Sequence, residues 1–165
     1  MIGLDVTHLA LATEDIQQRV LRGDTGGITG MVHPMRQMFH DLLTFFSGTY
    51  REVFGFKFGP PLHDPLAVAV VLDMLGIEEL GFEDGEVEGE NGEQWIVDVV
   101  TGDSRQDRQV GRTILVNRVA NEIGGGVRVP RRVRYLHRFW NLIESALQKA
   151  QVESEKTGVW DRYMV

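Results

Sequence analysis

The sequence predicts a mixed α/β fold, and three observations support this class. Residues 35–54 and 136–150 repeat apolar side chains every three or four positions, which is typical of helices that bury one face. Residues 94–100 and 113–116 are short segments rich in Val and Ile, which is typical of strands. Strand and helix segments also alternate along the chain, as they do in α/β domains. No linker or internal repeat divides the chain, so we predict a single domain segment over residues 1–165.

The composition narrows the classes of function. The net charge is −7 at pH 7, which disfavours non-specific binding to nucleic acids or anionic membranes. Cysteine is absent, which excludes disulfides, thiolate catalysis and cysteine metal sites and is compatible with a reducing compartment. The apolar run at residues 66–72 is far shorter than the roughly 20 residues that cross a membrane, and the N-terminus lacks the basic region of a secretory signal. We therefore expect a cytoplasmic protein with no nucleic-acid or membrane partner.

The first elements are short. Residues 2–4 are expected to be the end of a strand, followed by a turn with Asp5 and His8. These two side chains have the chemistry of metal ligands, but a turn explains them with fewer assumptions. A short helix is predicted over residues 13–21 with Thr13 as its N-cap.

The helix predicted over residues 35–54 carries an apolar stripe that is expected to face the core. Phe46 and Tyr50 are four residues apart on one face of this helix. We expect Phe46 to be a core residue.

Residues 60–69, with the sequence PPLHDPLAVA, combine side chains of catalytic chemistry with stiff backbone. Prolines fix φ and favour extended neighbours, so we expect His63 to lie on a rigid loop. Asp64 followed by Pro65 has the pattern of a helix N-cap and first helical residue. The following helix is expected to be buried, since it is apolar on nearly every side, and to end at Gly76. From residue types alone, Asp64 is interpreted as a cap and His63 as a loop histidine.

Two further elements complete the prediction. Residues 78–93 contain many carboxylates and are expected to form a solvated hairpin. Residues 136–150 are expected to form an amphipathic C-terminal helix.

Four stretches together resemble the inosine-uridine-preferring nucleoside hydrolase family. PLHDPLAVA at residues 61–69 is the most specific, and GLDVTH at 3–8, FFSGTY at 45–50 and RFWNLI at 138–143 occur in the family's order. The resemblance covers nearly the whole chain but only about the second half of the family's domain. It implies a partial parallel sheet with flanking helices, and it places His63 at the carboxyl edge of the strands, where α/β folds bind ligands.

The resemblance also implies an activity. Members of the family hydrolyse the N-glycosidic bond of purine or pyrimidine ribonucleosides to ribose and free base. A calcium ion, Ca²⁺, held by an aspartate cluster binds the ribose hydroxyls and the attacking water, and a histidine protonates the departing base. By this resemblance His63 is the general acid, Asp64 is a calcium ligand and Tyr50 is a substrate contact. A small-molecule nucleoside substrate and a homo-oligomer are implied in the same way, whereas no residue indicates which nucleobase is preferred.

The sequence departs from the family's pattern in one respect. It contains neither the Asp-x-Asp-Pro-Gly-x-Asp-Asp motif nor the Asn-bearing segment that binds ribose. Calcium takes about 6–8 oxygen ligands, of which Asp64 is one. We therefore expect a truncated chain that is inactive alone. The alternative is a non-catalytic remnant or interaction module that keeps the family's packing.

Overall fold

A computed structural model of the chain describes residues 1–23, 32–85, 92–103, 108–119 and 125–160. The elements in chain order are α1 (Leu4–Thr7), α2 (Glu14–Arg22), α3 (Pro34–Phe54), α4 (His63–Met74), β1 (Phe82–Glu83), β2 (Gln94–Val99), β3 (Thr113–Val119), β4 (Val127–Arg128), β5 (Arg132–Val133) and α5 (Leu136–Thr157). The predicted mixed α/β class is confirmed. The segments predicted from sequence patterns correspond to three helices, α2, α3 and α5, and to two strands, β2 and β3. No helix in the described ranges is long and apolar enough to cross a membrane.

The strands form two small sheets with antiparallel pairing. One sheet has the order β3-β2-β4, and the other pairs β1 with β5. The family resemblance implies a parallel sheet, so the pairing of these strands differs from that expectation. A parallel pair needs a long crossover, usually through a helix. All five described strands lie between α4 and α5 with no described helix among them, and this order favours antiparallel pairing.

The N-terminal and acidic segments also differ from the predictions. The expected strand end at residues 2–4 is wrong, because α1 is a single helical turn closed by backbone hydrogen bonds from Thr7 to Gly3 and from His8 to Leu4. The acidic segment was expected to be a solvated hairpin. Within it, β1 is buried and pairs with the distant β5, while residues 86–91 lie outside the described residues.

Two apolar clusters hold the helices together. The larger cluster joins α1, α4, β1 and α5, and its buried members are Val6, Ala10, Leu66, Ala69, Val70, Leu80, Phe82 and Phe139. The smaller cluster joins α2, α3 and α5 through Val20, Met35 and Leu147. A polar contact reinforces the second cluster, since the buried Arg36 guanidinium lies 2.8 Å from the buried Glu144 carboxylate and donates to the Val20 carbonyl.

The apolar faces of α3 and α4 are only partly covered by the described residues. The prediction that Phe46 is a core residue is wrong, because its side chain is 45% exposed and contacts the ring of Phe45. Helix α4 was expected to be buried, yet Val68 and Val71 are exposed while Leu66 and Ala69 are buried. Periodicity identifies an apolar face, but it does not identify what packs on that face.

Candidate active site

Two distant segments are joined by backbone hydrogen bonds at the candidate site. The amide of Ala12 donates to the carbonyl of Pro60 at 2.9 Å, and the amide of Leu62 donates to the carbonyl of Ala10 at 2.9 Å. Gly59 makes this approach possible. Its φ of +136° is one that other residues rarely adopt, and a Cβ there would lie 2.1 Å from the carbonyl oxygen of Ala12. The pairing therefore fixes α1 beside the start of α4.

His63 is the first residue of α4, and this corrects the interpretation of the loop. The helix N-cap is Leu62, whose carbonyl accepts from the Leu66 amide. Asp64 was interpreted as the N-cap and Pro65 as the first helical residue, and both assignments are wrong by two positions. Asp64 instead lies exposed in the first helical turn, where a carboxylate interacts favourably with the helix dipole. Its role as a metal ligand remains a prediction.

The closest polar contact of His63 comes from α1. The Thr7 hydroxyl oxygen lies 2.7 Å from His63 Nδ1, and Thr7 is 2% exposed. The same hydroxyl lies 3.2 Å from the Leu4 carbonyl and donates to it. Among the described residues, none makes a hydrogen bond to His63 Nε2. One edge of the imidazole is therefore held by the protein and the other is available to a ligand.

Ring side chains from the end of α1, from α3 and from the loop before α4 lie close to the His63 imidazole. The ring of Tyr50 lies 6.2 Å from that of His63, centroid to centroid, and the ring of His8 lies 5.4 Å from it. Phe56 contacts both of these neighbours, at 4.9 Å from His8 and 5.8 Å from Tyr50. The half-buried Tyr50 and Phe56 thus present flat apolar faces beside a titratable group. Such a combination suits the binding of a planar, polar-edged ring.

The surroundings lower the pKa of His63 below its ordinary value of 6.5. Burial is the largest cause, since it disfavours the charged imidazolium, and the neighbouring His8 acts in the same direction. The Asp64 carboxylate opposes both effects. His63 is consequently a stronger acid than a free histidine, and most molecules carry it neutral at pH 7.

The described residues do not by themselves form a calcium site. No group of three or more His, Cys, Asp or Glu side chains in these ranges is arranged to hold a metal ion. Asp64 offers a single carboxylate, whereas calcium takes about 6–8 oxygen ligands. Any metal held here would need most of its ligands from elsewhere.

Comparison with known proteins identifies the family. The sequence profile of the family described as inosine-uridine preferring nucleoside hydrolase matches residues 1–141. The chain belongs to this family. It is 32% identical over 76 residues to the uridine nucleosidase of Saccharomyces cerevisiae, an alignment that covers 46% of this chain and 21% of the yeast protein. It is 38% identical over 73 residues to the inosine-uridine preferring nucleoside hydrolase of Crithidia fasciculata, covering 44% of this chain and 20% of that protein. The matched segments thus span about a fifth of the length of these relatives.

Family membership confirms the resemblance on which the site residues depend, and the geometry shows how they are arranged in this member of the family. His63 and Tyr50 lie side by side, and Asp64 follows His63 on the exposed side of α4. The roles assigned to these three residues remain predictions. Sequence reasoning missed Thr7 and Phe56. The GLDVTH stretch was a signal for Thr7, because it belongs to the same family resemblance as the His-Asp pair.

Proposed function

We propose that this chain provides the leaving-group side of a nucleoside hydrolase active site. Two observations together support the proposal. The chain belongs to a nucleoside hydrolase family, and His63 lies next to both the buried Thr7 hydroxyl and the Tyr50 ring. The substrate would be a purine or pyrimidine ribonucleoside, and the products would be ribose and the free base.

The chemistry requires a proton donor. Cleavage of an N-glycosidic bond develops positive charge on the ribose and negative charge on the departing base, and a natural base leaves poorly unless it is protonated. In our proposal His63 donates that proton. Its lowered pKa makes it a strong donor, although only the protonated fraction of molecules is competent.

Tyr50 and Asp64 have supporting roles in the proposal. The Tyr50 ring, beside His63, would contact the nucleobase and keep it over the imidazole. The Asp64 carboxylate is exposed and interacts with His63 through its charge alone, so its oxygens would be available to bind calcium. When bound, calcium supplies a positive charge that holds hydroxyl oxygens. Expectations of a cytoplasmic location and a homo-oligomer remain predictions.

The remaining calcium ligands would come from a segment with the family's aspartate cluster, since the described residues offer too few. We therefore expect negligible nucleoside hydrolysis and weak calcium binding by the 165-residue chain alone. Calorimetric titration of the purified chain with CaCl₂ tests this directly. The matched sample is the same chain joined to the N-terminal half of a family member, for which tight stoichiometric binding and hydrolysis of inosine or uridine are expected. Tight stoichiometric binding by the chain alone would contradict the proposal.

The second candidate is a non-catalytic module that keeps the family's packing. The exposed apolar faces of α3 and α4 favour it, because large apolar patches are typical of surfaces that bind other protein segments. The joined protein separates the two functions. Hydrolysis that is restored by joining and lost on His63→Ala supports the enzyme, whereas a stable joined protein without any hydrolysis supports the module.

A further inference from the structure

We infer that Thr7 is a positioning residue that fixes the proton of neutral His63 on Nδ1 and leaves Nε2 as the nitrogen that gives its proton to the nucleobase. The inference rests on the proposed function for the catalytic part of this statement. Its structural part, the tautomer of His63, stands on the geometry alone.

The direction of the hydrogen bonds follows from counting protons. The Thr7 hydroxyl has one proton and two neighbours, the Leu4 carbonyl at 3.2 Å and His63 Nδ1 at 2.7 Å. A carbonyl oxygen can only accept, so the hydroxyl proton goes to Leu4, as it often does when threonine bonds the carbonyl three residues earlier in a helix. The Thr7 oxygen must then accept from His63 Nδ1–H. Both contacts are satisfied only in this arrangement.

The same arrangement fits both states of the histidine during proton donation. In the imidazolium, Nδ1–H bonds Thr7. Its Nε2–H is then the proton left to donate to the base. After the proton has moved from Nε2 to the base, the neutral ring keeps Nδ1–H on Thr7 and has a lone pair on Nε2. Neither step requires the ring to flip or the hydroxyl to rotate. A nitrogen already bonded to a buried hydroxyl cannot also reach a substrate, which leaves Nε2 as the donor.

The position of Thr7 is set firmly enough for this role. Thr7 ends α1, and the buried Val6 within this helix and Ala10 just after it anchor the segment in the larger apolar cluster. The backbone pairing around Gly59 then holds α1 against the start of α4. In many acid–base sites the catalytic group is likewise oriented by a hydrogen bond to another side chain.

Nuclear magnetic resonance of the 165-residue chain tests the tautomer without any need for activity. Histidine is labelled with ¹⁵N, the His63 signals are assigned by their loss in His63→Gln, and long-range ¹H–¹⁵N correlations are recorded at a pH well above the histidine pKa. We expect the Nδ1–H form in the wild-type chain and in Thr7→Ser, which keeps the hydroxyl. In Thr7→Val, which keeps the shape, we expect a shift towards the Nε2–H form that free histidine prefers.

The matched control is Thr157→Val, because the Thr157 hydroxyl also bonds a carbonyl three residues earlier, that of Ser154, but makes no hydrogen bond to His63. It should leave the His63 signals unchanged. An Nε2–H form in the wild-type chain, or the same tautomer in wild type and Thr7→Val, would overturn the inference.

A kinetic comparison then tests the catalytic part in the joined protein. Thr7→Val should lower kcat on inosine or uridine by less than the roughly 10²–10⁴-fold contributed by a general acid, with little change in KM, and Thr7→Ser should restore it. The same variant should leave p-nitrophenyl riboside hydrolysis nearly unchanged, because that leaving group needs no proton. Equal losses on both substrates would overturn the role of Thr7 in proton donation. If Thr7→Val shifts the tautomer as expected but His63→Ala changes the rate on no substrate, the proposed function is refuted and the structural part of the inference is not.

Discussion

The tight approach of Gly59 to Ala12 predicts that Gly59→Ala is one of the more damaging single-methyl changes in this chain. The new Cβ would lie 2.1 Å from the Ala12 carbonyl oxygen and 2.7 Å from its carbonyl carbon, and both atoms belong to backbone that cannot rotate away. The φ of +136° adds strain of its own, because residues with a Cβ rarely adopt it.

The magnitude follows from these two effects. Backbone strain of this kind costs on the order of 1–3 kcal/mol. Displacing the strand-like pairing also weakens the hydrogen bonds Ala12–Pro60 and Leu62–Ala10, each with a net contribution of about 0.5–1.5 kcal/mol. We therefore expect the free energy of unfolding to fall by about 2–6 kcal/mol. With a urea dependence of about 2 kcal/mol per molar, the middle of the usual range for small proteins, the midpoint should fall by about 1–3 M.

Gly48→Ala is the matched control for this substitution. Gly48 lies inside α3, and a Cβ there would meet no atom within 4 Å. Alanine in a helix interior is more favourable than glycine, so this variant should gain about 0.5–1 kcal/mol. Urea unfolding followed by tryptophan fluorescence gives both values, and amide hydrogen exchange at Ala12 and Leu62 shows whether the loss is local. Equal midpoints for Gly59→Ala and the wild-type chain would refute the claim that the two segments depend on this close approach.

Two other predictions concern charged groups. Arg36→Met should lower the free energy of unfolding by about 3–5 kcal/mol, because it leaves the Glu144 carboxylate buried without its partner. Glu153→Gln, which breaks an exposed ion pair, should change the free energy of unfolding by less than about 1 kcal/mol. Similar urea midpoints for the two variants would contradict this prediction. Folding lowers the pKa of His63 below the unfolded value of 6.5. The contribution of neutral His63 to stability is therefore complete above pH 6.5 and is lost as the pH falls through the folded pKa. The free energy of unfolding of the wild-type chain should then decline with acidification more steeply than that of His63→Gln. Parallel pH profiles of urea midpoints for these two proteins would contradict the direction of the shift.

Local patterns predicted α2, α3 and α5 well, because each of these helices carries its own signal. The N-cap position of α2 at Thr13 was predicted from its residue type, although its side chain makes no capping hydrogen bond, and the span of α3 was predicted to within one residue from its apolar spacing. The start of α4 was misplaced by two residues because a proline after an aspartate fits the first helical turn at more than one position.

Long-range contacts could not be predicted from local patterns. The buried strand β1 pairs with β5 about fifty residues later, and no property of Phe82 or Glu83 identifies that partner. The contact between Thr7 and His63 likewise joins residues 56 positions apart. The family resemblance supplied the chemical roles of His63 and Asp64, whereas only the three-dimensional arrangement identified the hydroxyl that holds the imidazole.

The most direct test compares the effect of His63→Ala on substrates with poor and good leaving groups. It is measured in this chain joined to the N-terminal half of a family member. If His63 is the general acid, His63→Ala should lower kcat on inosine and uridine by roughly 10²–10⁴-fold. It should leave p-nitrophenyl riboside nearly unaffected, because p-nitrophenolate departs without a proton. His40→Ala, which removes a histidine elsewhere on α3, should change neither rate. Equal losses on the natural nucleosides and on p-nitrophenyl riboside for His63→Ala would contradict the account, because they would mean that His63 maintains the shape of the site instead of donating a proton.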